Sequence, residues 1–262
     1  MDGQVVLITG ATDGLGRGLA RAADAAGATV LVHGRSEERI ADTLGELSDR
    51  ARAYRADLAS LTEVTRLADE VLAAEPRLDV LVNNAGIGSD VPGGGARQES
   101  ADGYELRFAV NYLAGYALTR RLLDRLRDSA PARVVNVSSA GQTAIDFDDV
   151  MLAHGGYSGV RAYCQSKLAQ ILFTFDLAEE LAGTGVTATC LHPSTYMPTK
   201  IVASPISSIA DGVEATLRLM TAPADEVGGR YFNVLREARA EPQAYDADAR
   251  HRLRELSDRL TA

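Results

Sequence analysis

The 262 residues are 46% hydrophobic and 24% charged, which suits a globular α/β chain with a substantial core and at most two small domains. A net charge of −9 argues against a nucleic-acid partner, because phosphate binding needs a basic face. No apolar run approaches the ~18 residues of a membrane span.

Val5-Val6-Leu7-Ile8 has no basic region before it and reads as a core strand rather than a signal peptide. Strands are expected near 4–9, 28–33, 52–55, 78–82, 132–138, 187–192 and 230–234. Helical patterns lie between them, near 15–26, 37–48, 60–74, 102–128, 161–183, 208–221 and 246–260. Val80-Leu81-Val82 and Val134-Val135-Asn136-Val137 are nearly continuous apolar runs, as strands covered on both faces require. Strand–helix alternation then predicts one doubly wound α/β domain over residues 1–262, with a seven-stranded parallel sheet and helices on both faces. Gly88–Ser100, with Pro92-Gly93-Gly94-Gly95, reads as a loop inside that domain.

The first strand runs into Thr9-Gly10-Ala11-Thr12-Asp13-Gly14-Leu15-Gly16 and then a helix. Glycines at 10, 14 and 16 permit a tight turn, and the helix N-terminus turns free N–H groups toward a pyrophosphate. The second strand ends in His33-Gly34-Arg35-Ser36, with no carboxylate for a ribose 2′-hydroxyl. Arg35 and Ser36 suit a 2′-phosphate instead, so NADP(H) is expected over NAD(H). The alternative is that Arg35 is a solvated charge capping the strand, and Asp13, Glu37 and Glu38 limit the preference.

Tyr163 and Lys167 lie four apart in Ala-Tyr-Cys-Gln-Ser-Lys-Leu, on one face of a helix. Lys167 is one of only two lysines, the other being Lys200, in a chain that otherwise writes its cations as arginine. An ammonium near the phenol is expected to favour phenolate and make Tyr163 an acid or base near neutral pH. His33, His154, His192 and the acidic run Asp146-Phe147-Asp148-Asp149 lack ligand spacing, and no metal is expected. Cys164 and Cys190 read as reduced thiols of a cytoplasmic chain.

Taken in order, these motifs resemble the short-chain dehydrogenase/reductase family over roughly residues 4 to 235, nearest its retinol-dehydrogenase-like branch and bacterial relatives. The resemblance implies a Rossmann-type domain and a cofactor turn of Gly10, Thr12, Asp13, Gly14, Leu15 and Gly16. It implies an adenine contact at Asp57 and Leu58, and a signature Asn83-Asn84-Ala85-Gly86 whose Asn84, Ala85 and Gly86 face cofactor. Pro193 and Thr195 are expected on the nicotinamide face, although Ser194 stands where the family usually has glycine. The implied catalytic set is Asn111, Ser139, Tyr163 and Lys167, with Ser139 rather than Ser138 as the family serine. In those roles Tyr163 moves the proton, Ser139 steadies the oxygen, Lys167 also binds the nicotinamide ribose and Asn111 holds a water.

The implied function is transfer of hydride between NADP(H) and a small-molecule carbonyl or alcohol. Two alternatives are a non-catalytic NADP sensor and an epimerase or dehydratase on the same scaffold. Variable segments at 142–161 and 194–210 offer Ile145, Phe147, Met151, Tyr157, Tyr196, Met197 and Ile201 to an apolar substrate. Met197 through Ala210, with its prolines and serines, is a candidate lid. The C-terminal helix near 246–260 is expected to close the cleft, join a subunit contact or cap the sheet edge. A homo-oligomer, dimer or tetramer through the long helices, is expected by resemblance.

Overall fold

The computed structural model describes residues 1–89, 96–195, 197–198 and 206–262. The Pro92–Gly95 run, Tyr196 and residues 199–205 of the candidate lid, Lys200 and Ile201 among them, lie outside the described residues.

The elements alternate as the sequence predicts. They are β1 (Val5–Ile8), α1 (Gly14–Ala25), β2 (Thr29–Gly34), α2 (Glu37–Leu44), β3 (Arg52–Arg55), α3 (Leu61–Ala74) and β4 (Val80–Asn83). A short α4 (Leu106–Phe108), a π-helical turn (Ala109–Leu113) and α5 (Ala114–Asp128) follow. Then come β5 (Ala132–Val137), α6 (Gly159–Glu180), β6 (Val186–His192), α7 (Ile209–Thr221), α8 (Ala224–Val227), β7 (Tyr231–Asn233), β8 (Arg236–Glu237) and α9 (Ala247–Thr261). Ser36, Ser60, Ser158 and Ser208 start α2, α3, α6 and α7, each hydroxyl accepting from the backbone N–H three residues on.

The sheet order is β3-β2-β1-β4-β5-β6-β7-β8, with the first seven strands parallel. The expected seven-stranded sheet therefore needs one correction: β8 adds an eighth strand, antiparallel to β7. Both its residues are charged and exposed, so it carries no apolar pattern. Its hairpin turns through Val234 at φ 56, without the Asn-Gly or Asp-Gly signal such turns usually show.

Alternate strand residues feed two cores. Val5, Leu7, Leu31, Leu81 and Val134 face α3, α5, α6 and α9, whereas Val6, Ile8, Val30, Val82 and Val135 face α1, α2 and α7. The C-terminal helix packs behind the sheet, away from the cleft. Its Ser257 and Asp258 meet the hydroxyls of Tyr112 and Tyr116, each at 2.6 Å, and Arg254 and Arg250 pair with Asp176 and Glu179 of α6. It thereby covers an aromatic cluster of Phe108, Tyr112, Tyr116 and Phe173, along part of the long-helix surface.

One buried histidine ties three strand ends together. His33 Nδ1 accepts from the Gly10 N–H at 3.1 Å, and Nε2 lies 3.2 Å from the Ala56 carbonyl, so Nε2 carries the proton. Burial pushes the His33 pKa from 6.5 down to about 4, so the folded chain keeps it neutral while the unfolded chain protonates near its ordinary value. This contribution to stability is complete above about pH 6.5 and falls by about 3 kcal/mol as pH drops toward 4. His33→Asn keeps an acceptor near Nδ1 but cannot titrate. Denaturant midpoints across this window are expected to slope more steeply in the wild type than in the variant. Equal slopes would reject the assignment.

Candidate active site

A cleft of about 720 Å³ runs along the carboxyl ends of β1 to β6, where doubly wound sheets bind their ligands. Its floor begins at the glycine turn. Gly10 has φ +65, and a Cβ there would stand 3.0 Å from Ala85 Cα. A Cβ on Gly16 would stand 2.1 Å from the Gly10 carbonyl oxygen, so only glycine fits. Asp13 caps α1 by accepting from Gly14 N at 2.9 Å.

The β1 turn is held by the end of β4. The Thr9 hydroxyl accepts from the N–H groups of Asn84 and Ala85 at 2.9 and 3.0 Å, and the Asn84 amide donates to the Thr9 carbonyl at 2.8 Å. Gly10, Thr12, Asp13, Gly14, Leu15, Gly16, Arg35, Asp57, Leu58, Asn84, Ala85 and Gly86 all line the cleft. Ser36 has a different task, since its hydroxyl caps α2. Arg39, in the first turn of α2, lines the cleft together with Arg35 and was missed in the sequence. Glu37 is paired with Arg55 at 2.7 Å.

Ser139, Tyr163, Lys167, Pro193 and Thr195 meet at the other part of the same cleft. Ser139 follows β5, Tyr163 and Lys167 lie on the second and third turns of α6, and Pro193 follows β6. The Ser139 hydroxyl lies on the same stretch of cleft as the Tyr163 phenol and acts to lower its pKa. The Lys167 ammonium donates to the Val137 carbonyl and to Gln170 Oε1, both at 2.9 Å, and sits 5.7 Å from the Tyr163 ring centroid. Burial pushes Lys167 down to about 7.

The expected lowering of Tyr163 by Lys167 is corrected here. Burial holds the phenol above its ordinary value, with the Ser139 hydroxyl pulling the other way. The lysine cation is directed at a carbonyl and an amide, not at the phenol oxygen.

Asn111 lies behind the cleft wall, within the π-helical turn. Its Oδ1 accepts from Ile87 N at 2.8 Å, and its Nδ2 donates to the Ile87 carbonyl and to Ser166 Oγ at 3.1 and 2.9 Å. A Cβ on Gly86 would lie 3.3 Å from Asn111 Oδ1 and 3.5 Å from Lys167 Nζ, so these three groups share one corner. Ser138 donates to the Lys167 carbonyl at 2.7 Å and anchors α6 to β5.

Ser139 is also held from behind. Tyr231 and Gln142 donate to its carbonyl at 3.1 and 2.9 Å, and its Oγ accepts from Gly141 N at 3.0 Å. Gln170 could have been found from its i+3 spacing to Lys167. Tyr231 had no local signal, since only the fold brings it to Ser139.

The substrate side differs from expectation. Ile145 is buried in the core, Phe147 stacks under Arg252, Met151 packs against the core and Tyr157 bonds Glu105, so these residues build their own segment. Of the proposed apolar residues Met197 reaches the cleft, joined by Ile87, Leu106, Val110, Val160 and Cys164. Among the described residues no group of three or more His, Cys, Asp or Glu side chains could hold a metal ion, and Cys164 and Cys190 are free thiols. No helix of the described residues is long and apolar enough to cross a membrane.

The groups present suit a dinucleotide. The glycine cradle admits backbone-close contact, the N-terminus of α1 lines the cleft at Gly14, Leu15 and Gly16, and one cleft runs from two arginines to the Ser139–Tyr163–Lys167 cluster.

Comparison with known proteins agrees. The family described as short chain dehydrogenase matches residues 4–207. Retinol dehydrogenase 13 of Mus musculus is 36% identical, over 98% of this chain and 84% of that protein. A solved structure of an uncharacterised protein from Mycobacterium paratuberculosis superposes with a TM-score of 0.82 and 32% identity, covering 99% of this chain and 94% of that one. The Pseudomonas aeruginosa RhlG/NADP active-site complex has a TM-score of 0.72 and 28% identity, covering 89% and 95%. An oxidoreductase that binds a nicotinamide cofactor follows from these matches. The chain belongs to the short-chain dehydrogenase family, within its retinol-dehydrogenase-like branch.

Proposed function

We propose that this oxidoreductase uses NADP(H) in preference to NAD(H) and interconverts an apolar carbonyl and its alcohol. The observation that carries the reading is the convergence of Ser139, Tyr163 and Lys167 on one cleft wall, with Asn111 behind it. Nicotinamide supplies or accepts the hydride. The protein manages the proton.

Tyr163 donates it to the developing alkoxide in reduction and takes it back in oxidation. Ser139 donates a hydrogen bond to the same oxygen, and its backbone clamp by Tyr231 and Gln142 keeps that hydroxyl aimed. Lys167, held near neutrality by burial, exchanges protons readily at physiological pH. A water beside Asn111 would return the proton to it. Arg35 and Arg39 supply charge for a 2′-phosphate, and no carboxylate stands at the end of β2 to select a free 2′-hydroxyl.

The apolar wall of Ile87, Leu106, Val110, Val160 and Met197 favours a hydrophobic substrate. The retinol dehydrogenases among the relatives, by name enzymes of an apolar alcohol, support the same class.

Absorbance decay of NADPH and NADH against a panel of apolar aldehydes and ketones tests this directly. Tyr163→Phe is expected to cut kcat by at least ~10³-fold while NADPH binding stays within about twofold, since only the proton donor is lost. Substantial turnover in that variant would remove Tyr163 from its role. Arg35→Ala is expected to raise KM for NADPH by about tenfold, the worth of one charge-assisted hydrogen bond in a solvent-facing position, and to leave NADH nearly unchanged. Parallel losses with both cofactors would reject the 2′-phosphate assignment.

A further inference from the structure

Behind the apolar wall lies a charged group that the proton chemistry does not use. Arg107 of α4 is 0% exposed, the largest fully buried side chain among the described residues. All three edges of its guanidinium are occupied. Nε donates to the Gly88 carbonyl at 2.8 Å, Nη2 to the Ser89 carbonyl at 3.0 Å and Nη1 to the Tyr157 phenol oxygen at 2.7 Å. The phenol in turn donates to Glu105 Oε1 at 2.7 Å, and Glu105 Oε2 accepts from Phe108 N at 2.7 Å. Arg107 and Glu105 approach each other only to 3.8 Å, so the tyrosine hydroxyl bridges the two buried charges.

Burying an ion pair is unfavourable unless its hydrogen bonds are satisfied, and by itself says little for stability. What this network joins is more informative. It ties the turn after β4 and the last residues of the long segment between Ser139 and Tyr163 to α4, which leads into the π-helical turn of Asn111. Gly88, Ser89 and Leu106 line the cleft, and so does Val160, three residues beyond Tyr157 at the start of α6. Two walls that enter the cleft from distant parts of the chain are thus fixed to one planar fork. A lysine ammonium, a single point of charge, could not hold all three partners in that plane.

We propose that Arg107 is a positioning residue for the substrate: it holds the Gly88–Ser89 turn and Tyr157 in one register, so that the apolar side of the cleft is formed before substrate enters. The proposal rests on the reading of the cleft as a carbonyl or alcohol site. It places Arg107 in control of apparent substrate affinity, separate from cofactor binding and from the proton step at Tyr163.

Tyr157→Phe and Arg107→Lys test it in the whole protein, with steady-state kinetics on an apolar aldehyde, NADPH binding, melting temperature and amide hydrogen exchange. Tyr157→Phe removes one hydroxyl from a half-buried side chain. It is expected to raise KM for the aldehyde about fivefold, with kcat and NADPH affinity within about twofold. Exchange at 86–89 and 150–158 is expected to quicken, with β1 and α1 unchanged. Arg107→Lys is expected to raise KM by about tenfold or more, with a lower melting temperature as well.

A merely structural arginine would lower the melting temperature and leave the KM-to-kcat split untouched, and that result overturns the proposal. So does unchanged exchange at both segments in both variants. If the wild-type protein turned over no carbonyl in the panel, the functional reading would fall. The exchange at 86–89 and 150–158 would then decide separately whether Arg107 braces the two walls.

Discussion

The structure depends on how closely the ends of β1 and β4 approach. Gly16 lies so near the Gly10 carbonyl that even one methyl group is excluded, and Asn84 fills the remaining space with hydrogen bonds to the Thr9 and Gly10 carbonyls. That contact aims the N-terminus of α1 into the cleft. It also sets the path of Ala85-Gly86-Ile87, which delivers Gly86 to the corner shared by Asn111 and Lys167. The glycine turn and the corner shared by Gly86, Asn111 and Lys167 are therefore two ends of one rigid arrangement. A change at the turn moves both.

Burial is the second organising effect, and it acts on opposite charges in opposite directions. It raises the phenol of Tyr163 and lowers the ammonium of Lys167, because a desolvated site disfavours whichever form is charged. The two groups, nearly matched in water, are thereby driven apart, and each is held toward its neutral form. Neutral groups complete the arrangement: the Val137 carbonyl, Gln170 and the hydroxyl of Ser139. The same desolvation keeps His33 uncharged under the glycine turn. No free carboxylate is needed at any of these points.

Much of this was legible in the sequence, where short-range rules suffice. Apolar runs such as Val80-Leu81-Val82 declare a doubly covered parallel strand, and the glycine spacing after β1 declares its turn. Tyr163 and Lys167 share a helix face by periodicity alone. The hydrogen-bond partners were not legible in the same way. The π-helical turn at Asn111 looks like ordinary helix in sequence, since its extra residue per turn leaves no compositional mark. Ile145, Phe147 and Met151 are apolar enough for a substrate pocket, but apolarity does not say which surface a side chain joins. Here they pack their own segment against the core. The strand β8, exposed and charged, exists because β7 offered it an edge.

By itself the sequence determined the alternation of elements, the glycine turn after β1 and the shared helix face of Tyr163 and Lys167, because each depends on neighbours within a few residues. Only the tertiary structure decided what surrounds them. Tyr231 reaches the Ser139 carbonyl, Gln170 takes the Lys167 ammonium, and Arg107 gathers two cleft walls to one guanidinium. Such pairings depend on distances between segments far apart in the chain, and those distances exist only once the sheet has stacked its strands and the helices have closed over it.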